Sequence, residues 1–294
     1  MPSHRRKACH FDQAGLTPMQ AFPGSFLLLF YQVALGGLFA IAATPFHQLE
    51  RGFYKSTAGV LFVVGLLGLW GKADLYHKFL SKGVELGTGV EMILHILFLL
   101  FFALYLFSLW GEHALFRART FSFSLLIGLT GLALSSHTFY QAPFWSVETL
   151  LYPLSFFLSA LLLGGVTVGM LIGHWYLIDT GQSIDPFVRM FRFFVASLII
   201  QTIFLLILPL LLYLFGSAKT VLGLKQLWEE HLFILLARLL VAQVAPLVLS
   251  FMIWRTLKIP HTMAATGLFY IALLGVFVGE ILGRQILALT SLPF

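Results

Sequence analysis

Glu280 and Arg284 stand one helical turn apart inside the last hydrophobic stretch of the chain, in Gly279-Glu280-Ile281-Leu282-Gly283-Arg284. Glu91 and His95 form a second i,i+4 pair inside an apolar run, and Arg238 and His137 are further polar residues in such runs. Side chains at this spacing leave one face of a helix together. An ionisable group at bilayer depth costs about 2.5–3.5 kcal/mol on insertion scales, so each such residue marks a candidate site. Carboxylates and a histidine can relay protons, and guanidiniums can donate hydrogen bonds to the oxygens of a small amphipathic molecule. The competing reading is a structural ion-pair network whose charges neutralise one another in the bilayer.

The elements that position these residues are membrane helices. Of the 294 residues, 59% are hydrophobic, 10% are charged and 31 are Phe. A soluble domain carries about 25% charged residues. The net charge of +6 comes from basic residues flanking apolar segments, as beside lipid headgroups, and gives no reason to expect nucleic acid. The only cysteine is Cys9, so the chain cannot itself supply the several thiolates that a cysteine-ligated iron–sulfur or zinc site requires.

Apolar runs long enough to cross about 30 Å of hydrocarbon fall at 24–44, 56–72, 86–110, 121–142, 150–178, 187–215, 231–254 and 262–289. These predict an all-α polytopic protein, an up-and-down bundle of eight transmembrane helices over 24–294 behind a polar tail at 1–23. The first run is long enough to span and reads as an uncleaved helix. Pro209 and Pro246 predict kinks in the sixth and seventh helices.

With the N-terminal side named face A, basic residues divide evenly. Arg5, Arg6, Lys7, Lys72, Lys78, Lys82, Lys219 and Lys225 fall on face A, and Arg51, Lys55, Arg117, Arg119, Arg189, Arg192, Arg255 and Lys258 on face B. The charge rule for orientation therefore ties. Helix direction places Glu91, His95, His137, Arg238, Glu280 and Arg284 all in the A-side half. They predict a single polar pocket opening to that face, with Glu91 and Glu280 balancing Arg238 and Arg284. Most polar residues of face B, among them His47, His113, His174 and His261, fall at helix ends or in loops. His174-Trp175-Tyr176 reads as part of an aromatic belt. Glycines at every fourth residue, Gly165, Gly169 and Gly173, then Gly275, Gly279 and Gly283, predict close helix packing.

Motifs for zinc hydrolases, nucleophile elbows, P-loops and dinucleotide folds are absent from the sequence. A b-type haem needs axial ligands at matching depth. Only His95 and His137 qualify on the A side, with depths about 6 Å apart at 1.5 Å per residue.

The run Gly279-Glu280-x-x-Gly283-Arg284 resembles the closing helix of the membrane anchor subunits of the dimethyl sulfoxide reductase and polysulfide reductase group. Those subunits tend to follow the arginine with an aromatic pair, where this chain has Gln285-Ile286-Leu287. The resemblance implies a quinone-interacting anchor in the cell inner (cytoplasmic) membrane, exchanging electrons between menaquinone or ubiquinone and an iron–sulfur or cytochrome partner that serves a catalytic subunit. It carries over Glu280, Gly283 and Arg284 only.

Under this reading His95 hydrogen-bonds one quinone oxygen, Arg238 or Arg284 the other, and Glu91 or Glu280 relays protons. A haem b cytochrome subunit and a transporter or structural membrane subunit are the alternatives.

Overall fold

The computed structural model describes residues 18–44, 46, 48–82, 86–139, 142, 145–179, 181–259 and 261–294. Cys9, the basic residues Arg5, Arg6 and Lys7, and His47 lie outside them. The regular elements among these residues are all helices: α1 (Pro18–Ala43), α2 (Arg51–Lys82), α3 (Leu86–Ser108), α4 (Ala114–His137), α5 (Glu148–Ile178), α6 (Asp185–Phe215), α7 (Ala218–Glu230), α8 (Leu232–Leu239), α9 (Ala245–Lys258) and α10 (Thr262–Thr290). A π-helical turn, Leu240–Val244, joins α8 to α9. Among the described residues, eight segments are long and apolar enough to cross a membrane, α8 through α9 counting as one.

The boundaries depart from the sequence reading where polar residues sit inside helices. The second span runs far beyond Lys72, to Lys82, so Lys72 is a buried helical residue and not a loop cation. α4 begins at Ala114, a full turn and more before the expected start, which places Arg117 and Arg119 inside a helix. α7 was not expected. Its buried Leu224 and Leu227 and its exposed Lys225, Glu229 and Trp228 make it a short amphipathic helix, which is why it carries no membrane-length apolar run. Its first turn is fixed by Ser217, whose Oγ accepts from Thr220 N at 3.3 Å. The buried Glu148 of α5 adds to this, accepting from Ser217 N at 2.6 Å and Thr220 Oγ1 at 2.9 Å.

Packing is not simply up-and-down between sequence neighbours. α1 and α5 are the inner helices, lying along each other at the centre, and α10 returns to pack on both. Their approach is set by two glycines outside the expected series. A Cβ on Gly36 would run into the Ala160 carbonyl, and one on Gly164 into the backbone of Gly36. Small residues let helix backbones meet closely. The predicted series do pack tightly. Gly169 faces the ring of Phe269 and Gly173 faces Thr266, while Gly279 and Gly283 of α10 face Ala242 and Arg238.

Pro246 disturbs the seventh span through the π turn, and α6 runs unbroken through Pro209. In a π turn the N–H of residue i+5 bonds the carbonyl of residue i, and Ala245 N bonds Leu240 O in this way. Pro246 has no N–H to give to the next carbonyl, that of Val241. That carbonyl faces Gly275, where a Cβ would lie 3.0 Å away.

Candidate functional site

Five of the six residues singled out from the sequence, Glu91, His95, Arg238, Glu280 and Arg284, form two polar clusters and not one pocket. The first joins α2, α3 and α4. Lys72 Nζ donates to Glu91 Oε1 at 2.7 Å, and Ser135 Oγ donates to the same oxygen at 2.7 Å. His95 is held from both sides, by Tyr76 OH 3.0 Å from Nδ1 and Ser135 Oγ 3.0 Å from Nε2. Because Ser135 spends its single proton on Glu91, it must accept from Nε2–H, and Nδ1 then accepts from Tyr76. The assignment follows from donor inventory and produces a directed chain, Tyr76 to His95 to Ser135 to Glu91. The Tyr31 ring of α1 lies on His95 with centroids 4.2 Å apart.

The second cluster centres on Glu280, which is fully buried. Its Oε2 accepts from Ser159 of α5 at 2.8 Å and faces Arg284 Nη2 at 3.6 Å. Its Oε1 accepts from Gln201 of α6 at 2.8 Å and Arg238 Nη2 at 3.3 Å. Arg238 Nη1 also donates to Gly279 O at 2.9 Å. Arg284 Nη2 donates to Gln32 Oε1 at 2.6 Å, and Gln32 Nε2 donates to Phe156 O at 2.7 Å. Helices α5, α6, α8 and α10 therefore meet on one carboxylate, and α1 joins them through Gln32 and Arg284. An unpaired charge in such surroundings would cost several kcal/mol, which makes this carboxylate a strong constraint on how the five helices assemble.

The expected charge balance is corrected accordingly. Glu91 is neutralised by Lys72, and Glu280 alone stands against both Arg238 and Arg284. The clusters also differ in depth. Glu91 lies five residues from the start of α3 and Glu280 ten from the end of α10, about 8 Å and 15 Å at 1.5 Å per residue. Their link is α1, where the consecutive residues Tyr31 and Gln32 reach one cluster each.

His137 ends α4 half-buried. It lies two residues beyond Ser135, about 200° around the helix, so it does not share the face that meets His95. A haem between these histidines does not fit. Both ring nitrogens of His95 are engaged, and the crevice beside it, lined by Tyr31, Lys72 and Leu99, has a volume of about 10 Å³, the room of one water.

Sequence reasoning missed Lys72, Tyr76, Ser135, Ser159, Gln201 and Gln32. Gln32, Ser135, Ser159 and Gln201 were visible as polar residues inside apolar runs, whereas Lys72 ends such a run and Tyr76 lies beyond it. Gln243 of the π turn belongs with them, since its Oε1 accepts from Thr202 Oγ1 of α6 at 2.7 Å.

A larger opening lies at the A-side end of α6. A cleft of about 730 Å³ between α6, α7 and α8 is walled by Leu205, Leu206, Pro209, Leu210, Leu235 and Leu239, with Tyr213, Lys225 and Trp228 among its lining and Phe294 at its inner side. Phe294, which lines the cleft, and Arg238 of the Glu280 cluster both crowd Gly283. No family model, no curated protein and no solved structure matches the chain.

Proposed function

We propose that the chain is a quinone-interacting membrane subunit of an electron-transfer complex. The cleft between α6, α7 and α8 carries this reading. Its volume lies in the range of small-molecule sites. Its walls are aliphatic, and its Tyr213, Lys225 and Trp228 bring hydroxyl, ammonium and indole donors to the membrane surface. An isoprenoid tail suits the Leu205, Leu206, Pro209 and Leu210 wall, and the head group suits the three donors. A quinone, menaquinone or ubiquinone, supplies two-electron, two-proton chemistry when bound. With one cysteine in the sequence, the metal centres that receive or deliver electrons belong to an iron–sulfur or cytochrome partner, and substrate turnover to a catalytic subunit.

In this reading the sequence-predicted residues act behind the cleft. Arg238, Glu280 and Arg284 hold the helices that frame it, with the donors Arg238 Nε and Gln243 Nε2 buried there without a partner. The Tyr76–His95–Ser135–Glu91 chain holds and moves protons on the same half of the membrane.

The test is labelling of the purified protein with a photoreactive quinone analogue, followed by peptide mapping. Label on α6, α7 or α8, abolished by Leu239→Trp without loss of thermal stability, supports the reading. Equal labelling of that variant, or label confined to α2 and α3, overturns it.

A further inference from the structure

A second cavity opens at the opposite membrane surface, where α1 ends and α4 begins. It has a volume of about 430 Å³ and is lined by Ile41, Thr44, Phe46, Tyr105, Arg117 and Phe121 together with three alanines of α1 and α4. Arg117 is the one charged residue of this lining. Its guanidinium lies over the Phe46 ring at 4.5 Å from the centroid, so one face of the group is covered by carbon. Nη1 is buried and has no hydrogen-bond partner, and no carboxylate among the described residues pairs with Arg117. Arg117 is half-buried as a whole, but its Nη1 end is closed off from solvent and faces no acceptor of the chain; a donor so placed is costly, and an acceptor bound in the cavity is its natural complement.

Depth and shape narrow the chemistry. Arg117 is the fourth residue of α4 and Thr44 follows the last residue of α1, so the cavity stands at headgroup level. Below it the helices present exposed Phe123 and Leu126 to the hydrocarbon. Guanidinium binds phosphate by paired N–H donors in a fixed fork, and Tyr105 adds a phenol to the lining. Carboxylate ligands fit less well, because the surrounding wall is aliphatic and aromatic on the side facing lipid.

We propose that this cavity is a phosphate-binding site for a membrane phospholipid, with Arg117 as the ligand to the phosphate and the acyl chains lying along α4. The site is independent of the quinone cleft, which lies at the other surface.

Native mass spectrometry of the delipidated, detergent-solubilised protein tests it, with phosphatidylglycerol as the probe and a diacylglycerol of the same chains as the phosphate-free comparison. Phosphatidylglycerol binds and diacylglycerol does not. Arg117→Gln weakens binding about tenfold, the size of one charge-assisted hydrogen bond, whereas Arg119→Gln, which alters an exposed cation outside the lining, leaves it unchanged. Ala118→Trp fills the cavity with Arg117 still present and also removes binding. Inorganic phosphate separates the two possible sources of the group. Displacement of the lipid shows that phosphate alone is recognised, and no displacement shows that the chains contribute, both keeping Arg117 as the phosphate ligand. Equal binding by Arg117→Gln and the unmodified protein, or by diacylglycerol and phosphatidylglycerol, overturns the assignment.

Discussion

Lys72 Nζ lies 2.7 Å from Glu91 Oε1, joining α2 to α3 with neither side chain more than 10% exposed. The pair makes each residue's presence a condition of the other's. Removing one partner leaves a buried charge, at a cost of about 3–5 kcal/mol, whereas replacing both by apolar groups is often near neutral. Lys72→Met and Glu91→Leu are therefore each expected to lower the thermal midpoint sharply in detergent, and the double variant to recover most of the loss. Additive losses in the double variant would show that the two residues are stabilised separately.

The α1–α5 contact depends on the absence of two methyl groups. Gly36→Ala or Gly164→Ala places a Cβ against facing backbone, which cannot yield as a side chain can. Gly59 lies in α2 with nothing within 4 Å of its would-be Cβ. Gly59→Ala should thus stabilise by up to about 1 kcal/mol through helix propensity, while Gly36→Ala reduces folded yield. Matched thermal melts of the three variants, with yields after gel filtration, decide it. Tolerance of Gly36→Ala equal to that of Gly59→Ala would contradict the close approach.

The π turn sets the rotation of α8 relative to α9. Deleting Val241 would restore an ordinary helical register and turn Arg238 by about 100°, away from Glu280 and Gly279 O. The expected result is a protein that loses folded yield as severely as Glu280→Gln does. A deletion variant with the stability of the unmodified chain would mean that Arg238 is not held by that turn.

Glu148 anchors the surface helix α7 through Ser217 N and Thr220 Oγ1. Glu148→Ala should free the first turn of α7, at about 1–2 kcal/mol locally. Hydrogen exchange of residues 218–224 should then rise several-fold, with the exchange of α5 beyond its first turn unchanged. Unchanged protection of α7 would assign its stability to Leu224 and Leu227 alone.

Much of this was legible in the residue order. Eight apolar runs determined eight spans because a membrane core leaves no water for backbone groups and only helices satisfy them internally. Glu91, His95, Arg238, Glu280 and Arg284 stood out for the same reason, as costly groups in apolar surroundings, and spacing alone put the i,i+4 pairs on common faces. The glycine repeats announced tight packing, although the closest approach used Gly36 and Gly164 instead.

Tertiary structure decided which polar residues meet. Helix direction gives depth along the membrane but no position around the bundle, so Glu91 and Glu280 could look like members of one site. The folded chain placed α1 between them and sent Tyr31 to His95 and Gln32 to Arg284. Lys72 escaped notice because apolar content falls before its helix ends, and a helix that ends in a polar face has no apolar boundary to read. The partners Ser135, Ser159 and Gln201 come from other helices. Their pairing with Glu91 or Glu280 follows from packing that brings distant segments together, and no local pattern along the chain encodes it.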